Sequence, residues 1–210
     1  MGMFRLLART TIGLLFVGHG TQKLFGWFGG AGLEGTGGFF EQLGLRPGRR
    51  SALAAGAAEA GGGLLFALGA ATPLAAAALS GSMITAIKTV HWEKGVWVSG
   101  GGYEYNLVLL AAVFDLTENG PGQWSLDGAL GKPCWGPHWA LAALAAGAAG
   151  SAAALSHGRS ARRTGSPSSP CPPSARCTLR TGCGGRWSNS SANWSATTAA
   201  SGAAKVCSPA

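Results

Sequence analysis

The chain has 210 residues, of which 47% are hydrophobic and only 11% are charged. Soluble globular domains carry about 25% charged residues, so this composition excludes an ordinary water-soluble enzyme and predicts a protein that lipid surrounds. The formal net charge of +8 does not predict nucleic-acid binding, because the basic residues from position 157 onward form no cluster beyond the short one at 159–163.

Five weakly charged apolar runs follow one another along the chain. They lie at 3–27, 51–71, 74–90, 103–117 and 139–155. A helix needs about 20 apolar residues, and at least about 17, to cross a bilayer core of about 30 Å. The fourth run is short, and the alanine- and glycine-rich second and fifth runs are only weakly hydrophobic. We therefore predict an all-α fold, a polytopic transmembrane four-helix bundle with an additional fifth helix at 139–155.

The first run has one feature of a signal peptide, since Arg5 and Arg9 accompany its apolar segment. No small-residue cleavage site follows, and the chain continues through the polar residues His19, Gln22 and Lys23. We therefore expect a retained first helix. Both possible orientations in the membrane stay open, because basic residues occur in linkers on both sides.

Motifs that would predict a soluble cofactor or metal site do not occur in a suitable context. Residues 30–35 match G-x-G-x-x-G, but no strand precedes them, so we expect a flexible loop and not a dinucleotide site. The cysteines near the C-terminus have the spacing C-x5-C-x5-C, which lacks the C-x2-C pairs of common zinc sites. We predict no metal site.

Charged and titratable side chains inside the apolar runs are the candidate site residues. A charge at the bilayer centre costs at least about 2.5 to 3.5 kcal/mol, so each such residue needs a partner or a function. Two interpretations stay open. In the first, the groups neutralise one another, with Glu59 paired to Arg9 or Lys23 and Glu104 paired to Lys88 or His91. In the second, they bind the polar head of a quinone and relay protons to it. The intramembrane polar-site candidates are Arg9, His19, Lys23, Glu59, Lys88, His91 and Glu104.

The C-terminal part has a different composition. From position 157 onward the chain has seven basic residues and no acidic residue, in a setting rich in Ser, Pro, Ala and Gly. Such a composition cannot bury a core, so we predict disorder. The predicted divisions are a four-helix membrane domain at 1–133, the additional helix at 134–156 and the tail at 157–210. The tail is interpreted either as a basic lipid-contacting segment or as the translation of a shifted reading frame.

Short motifs of glycine, aromatic and polar residues recur along the chain, at 9–24, 38–47, 59–69, 83–86, 91–107 and 120–127. Together these motifs resemble the DoxX family of small bacterial and archaeal membrane proteins. The resemblance implies a four-helix membrane bundle, with relatives linked to thiosulfate:quinone oxidoreduction, terminal oxidases and an oxidative-stress complex. It assigns no catalytic residue.

Together these observations predict a multi-pass protein of the cytoplasmic membrane. The function that we expect is a redox-associated subunit that contacts quinone or a partner oxidoreductase, with no other cofactor evident and no nucleic-acid partner. The alternative is a non-enzymatic membrane scaffold or small-solute carrier.

Overall fold

The computed structural model describes residues 2–164, and this part of the chain is helical with no strand. The all-α prediction is therefore confirmed. The helices are α1 (Gly2–Phe25), α2 (Gly32–Gln42), α3 (Gly48–Leu68), α4 (Thr72–Ala86), α5 (Glu104–Glu118), α6 (Leu126–Ala129) and α7 (Pro137–Thr164).

The long helices α1, α3, α4, α5 and α7 coincide with the five predicted runs and alternate in direction through the bundle. The connections 69–71 and 119–136 lie at one end, here called the Asp127 end, and the connections 26–47 and 92–103 lie at the other, the Arg46 end. Within residues 2–164, three helical segments are long and apolar enough to cross a membrane, namely Gly48–Leu68, Thr72–Lys94 and Pro137–Ser160.

Helices α1 and α3 pack with their backbones almost in contact. A Cβ atom placed on Gly13 would lie 2.5 Å from the Gly63 carbonyl oxygen, and one on Gly20 would lie 2.4 Å from the Ala60 nitrogen. Small residues at such positions let membrane helices approach closely. Gly56 and Ala60 of α3 therefore form a small-residue contact with α1.

The hydrophobic core lies mainly in the Asp127 half of the bundle. Its largest fully buried apolar side chains are Phe16, Phe66 and Leu79, and Val113 and Leu116 of α5 join them. Phe66, Val113 and Leu116 lie in the halves of α3 and α5 that meet at the Asp127 end, whereas Phe16 and Leu79 lie near the middle of α1 and α4. The opposite half is packed less completely.

Two boundaries differ from the sequence-based expectation. The G-x-G-x-x-G segment is not a loop throughout, because α2 begins at Gly32, where the positive φ of 66° suits a glycine. Helix α7 continues to Thr164, so residues 157–164, which were predicted to begin the disordered tail, are helical. The rest of that tail lies outside the described residues.

Candidate functional site

The Arg46 half of the bundle contains a cavity of about 1350 Å³. Its walls are mostly alanine, glycine and other apolar residues of α3, α4, α5 and α7. Small-molecule pockets usually measure about 300–1,000 Å³, so this cavity has room for a long apolar molecule. Its polar and charged lining residues include His19, Lys23, Arg46, Arg50, Glu59, Ser82, His91, Asn106 and His157.

A buried carboxylate on α3 organises the deep polar part of the cavity. Glu59 is 3% exposed and forms an ion pair with Lys23 of α1 through one oxygen. Its other oxygen accepts a hydrogen bond of 2.5 Å from the Ser82 hydroxyl of α4. A buried charge is tolerated when it is paired and hydrogen-bonded, and these two partners fulfil both conditions. Of the two partners considered for Glu59, the structure shows Lys23.

Lys23 has one hydrogen-bond acceptor among residues 2–164. Its side chain is 26% exposed, and its hydrogen bond goes to Glu59. An ammonium group has three N–H donors, so within this part of the chain two are left for a ligand or water. Asn106 also lines the cavity, and in the same described residues its amide nitrogen donates only to the weak acceptor Met83 Sδ, at 3.3 Å.

The two predicted histidines both line the cavity but have different partners. His91 Nδ1 lies 2.7 Å from the Gly101 carbonyl oxygen. Because a carbonyl oxygen can only accept a hydrogen bond, Nδ1 carries the proton that it donates. In the neutral tautomer that this implies, Nε2 is an acceptor. His91 also ends the π-helical turn Ile87–His91, and such turns often occur at functional sites. His19 Nδ1 pairs with the Gln22 side-chain oxygen at 3.2 Å.

Two other candidates lie near the Arg46 end but do not line the cavity. Lys88 places its ammonium 5.1 Å from the centre of the Trp92 ring, a cation–π contact. Glu104 accepts a hydrogen bond of 3.0 Å from the Val98 backbone N–H. The structure therefore shows neither of the ion pairs that were considered for Glu104, with Lys88 or with His91.

Arg9 lies at the Asp127 end and not with the other candidates. Its guanidinium is 2% exposed and donates to the carbonyl oxygens of Pro121, at 2.9 Å, and Trp124, at 2.8 Å. Arg9 therefore fixes the connection between α5 and α6, and a single cluster of all seven candidates does not form.

Asp127 completes this end of the bundle, and sequence reasoning assigned it no role. Its carboxylate accepts hydrogen bonds from the backbone N–H groups of Ala71 and Thr72, the Thr72 hydroxyl and the Trp135 indole, all within 3.0 Å. Burial raises the pKa of Asp127, but the hydrogen bonds from Thr72, Trp135 and Ala71 outweigh it, so the pKa lies below that of a free aspartate. Asp127 thus caps the N-terminus of α4 from a distant part of the chain.

Residues 4–92 match the family model named DoxX. The matched range contains α1 to α4 and the π-helical turn, and it therefore includes Lys23, Glu59, Ser82 and His91. Helices α5 and α7, which form two further walls of the cavity, lie beyond the match. No curated protein and no solved structure matches the chain.

Proposed function

We propose that this protein, whose residues 4–92 match the DoxX family model, is a DoxX-type subunit of the cytoplasmic membrane that binds a quinone and contacts a partner oxidoreductase. The observation that carries the proposal is a large apolar cavity with one buried ion pair, Lys23–Glu59, in its wall.

The two parts of a quinone match the two kinds of surface in the cavity. A ring carrying two carbonyl oxygens needs hydrogen-bond donors, and an isoprenoid tail needs an apolar wall. The free N–H donors of Lys23 are suited to a carbonyl oxygen, while Glu59 holds the ammonium in place. The alanine- and glycine-rich walls of α3, α4 and α7 suit the tail.

The acceptors in the cavity are suited to the reduced form of the same ligand. A quinol has hydroxyl groups that donate, and the neutral His91 ring offers Nε2 as an acceptor. Ligand forms that differ by two hydrogen atoms could therefore both be held. The protein would serve as the binding subunit, and the partner oxidoreductase would supply the electron transfer.

Replacing Lys23 with Met tests this proposal directly. The substitution removes the donor, and a hydrogen bond to a charged group contributes about 1.5–3 kcal/mol, so the affinity for a short-chain quinone should fall by about 10- to 100-fold. Quenching of tryptophan fluorescence in the purified detergent-solubilised protein measures this affinity. Glu59→Gln should also weaken binding, because it releases Lys23 from its position.

The surface ion pair Arg49–Glu34 provides a matched control. Its side chains are 67% and 81% exposed, so Glu34→Gln should leave quinone binding unchanged. Unchanged binding in a Lys23→Met variant that keeps its helical circular dichroism would contradict the proposal. Quinone-dependent electron transfer in membranes containing each variant then tests the contact with an oxidoreductase.

A further inference from the structure

Two arginines lie at the rim of the cavity. Arg46 and Arg50 both line the cavity and are both exposed. In the part of the chain that the structure describes, neither forms an ion pair. The adjacent Arg49, which does not line the cavity, is paired with Glu34 at 2.8 Å. Among residues 2–164, the arginines that line the cavity are thus the ones without a carboxylate in an ion pair.

The carboxylate nearest to this rim binds the start of α3 and not the two arginines. Helix α3 begins at Gly48, whose backbone N–H donates to Glu41 Oε1 at 3.2 Å. Glu41 therefore satisfies one of the first N–H groups of the helix, which lack intrahelical partners. Arg50 lies in this first turn, and neither Arg50 nor Arg46 forms an ion pair with Glu41. His157 of α7 lines the cavity too.

This rim is separate from the polar cluster around Glu59. Arg50 and Glu59 are nine positions apart on α3, which corresponds to about 14 Å along a helix that rises about 1.5 Å per residue. Between them the α3 wall consists of small residues, among them Ala54, Ala55 and Ala58. A molecule whose charged group lies at the rim would therefore meet mostly small apolar side chains of α3 as it enters the cavity.

We propose that the cavity mouth binds an anionic phospholipid. Its phosphate would lie between Arg46 and Arg50, and one acyl chain would enter the cavity along α3. Arginine pairs with phosphate oxygens through its planar set of N–H donors. The apolar wall behind the two arginines favours a lipid over a free phosphate ion, which would gain nothing from that wall. This site goes beyond the quinone proposal and does not depend on it.

Titration of the full detergent-solubilised protein with dioctanoyl phosphatidylglycerol, followed by native mass spectrometry, tests the proposal. A basic side chain near a lipid phosphate contributes about a fivefold gain in affinity, so the double variant Arg46→Gln, Arg50→Gln should bind this lipid about 25-fold more weakly. Arg49→Gln should bind it within about twofold of the native protein. Dioctanoyl phosphatidylcholine, whose headgroup has no net charge, should bind the native protein and the double variant equally.

Three results would overturn the proposal. The first is that the double variant binds phosphatidylglycerol as tightly as the native protein. The second is that Arg49→Gln loses as much affinity for this lipid as the double variant does. The third is that inorganic phosphate displaces the lipid at equal concentration, which would indicate a free-anion site. Circular dichroism verifies that the variants fold. We expect them to fold because the substituted arginines are exposed. Lys23→Met separates the two proposals, because it should keep phosphatidylglycerol binding while losing quinone binding.

Discussion

Replacing Asp127 with Asn should destabilise the protein more than any single surface substitution. The carboxylate is 5% exposed and accepts four hydrogen bonds, from Ala71, twice from Thr72 and from Trp135. An amide keeps one acceptor oxygen and places an NH₂ group against N–H or O–H donors. At least one buried donor then loses its acceptor, and the N-terminus of α4 loses its negative charge.

The expected loss follows from these contacts. One or two buried donors without a partner cost about 1–3 kcal/mol each, and the lost helix-dipole interaction adds up to about 1 kcal/mol. A total near 3 kcal/mol corresponds to a fall in Tm of about 6–12 °C for a chain of this size. Circular dichroism at 222 nm during heating in detergent measures the shift.

Asp115→Asn is the matched control for the charge change. Asp115 is exposed and, among the described residues, accepts a side-chain hydrogen bond only from Asn119, one helical turn away. The Tm of the Asp115→Asn variant should therefore stay within about 2 °C of the native value. If Asp127→Asn shifted the Tm no more than this control, the buried hydrogen bonds would not be responsible for stabilising the Asp127 end.

Three further outcomes are expected. The pKa of Asp127 is lowered on folding, so its contribution to the free energy of unfolding is complete above the unfolded pKa of about 3.9 and is lost as pH falls through the lower folded value. Denaturant unfolding at several pH values should show this acid dependence in the native protein and not in Asp127→Asn. Gly13→Ala should lower the free energy of unfolding by about 1–3 kcal/mol, because the new Cβ would meet the backbone of α3. Gly18→Ala should leave it unchanged, because nothing lies within 4 Å of a Cβ at that position. Equal effects of the two substitutions would contradict close α1–α3 packing. Arg9→Gln should lower the free energy of unfolding by about 3 kcal/mol, because the carbonyl groups of Pro121 and Trp124 lose their donors. This loss should be well above that of Arg5→Gln, and the midpoints of denaturant unfolding compare the two variants.

The long helices could be predicted because their signal is local. A run of about 20 apolar residues specifies a helix wherever it lies in lipid, and all five runs are helical. Helix α2 was missed because its glycines at 32, 35, 37 and 38 oppose helix formation. It packs against α1 and α3, and this tertiary contact outweighs the weak intrinsic propensity of its residues.

The site could be predicted only in part because helical periodicity gives a face but not a depth. Helical spacing puts Arg9 and Lys23 on roughly one side of α1, yet their fourteen positions correspond to about 21 Å along the axis. They therefore serve opposite ends of the bundle. Ser82 and Asp127 were not considered because their importance comes from partners on other helices, which no local pattern shows. The Lys23–Glu59 pair was one of two alternatives that only the structure could separate.

Helix α7 has a consequence for how fast a molecule exchanges with the surrounding bilayer. It contributes an entire side of the cavity through Ala146, Gly147, Gly150, Ser151 and Ala154. Its contact with α4 uses small residues, such as Gly147 against Gly81, and one hydroxyl pair, Thr85 with Ser151 at 2.9 Å. None of the charged groups around Glu59 belongs to it. Changes in α7 can therefore alter the residence time of an occupant while the groups that recognise its polar head stay the same.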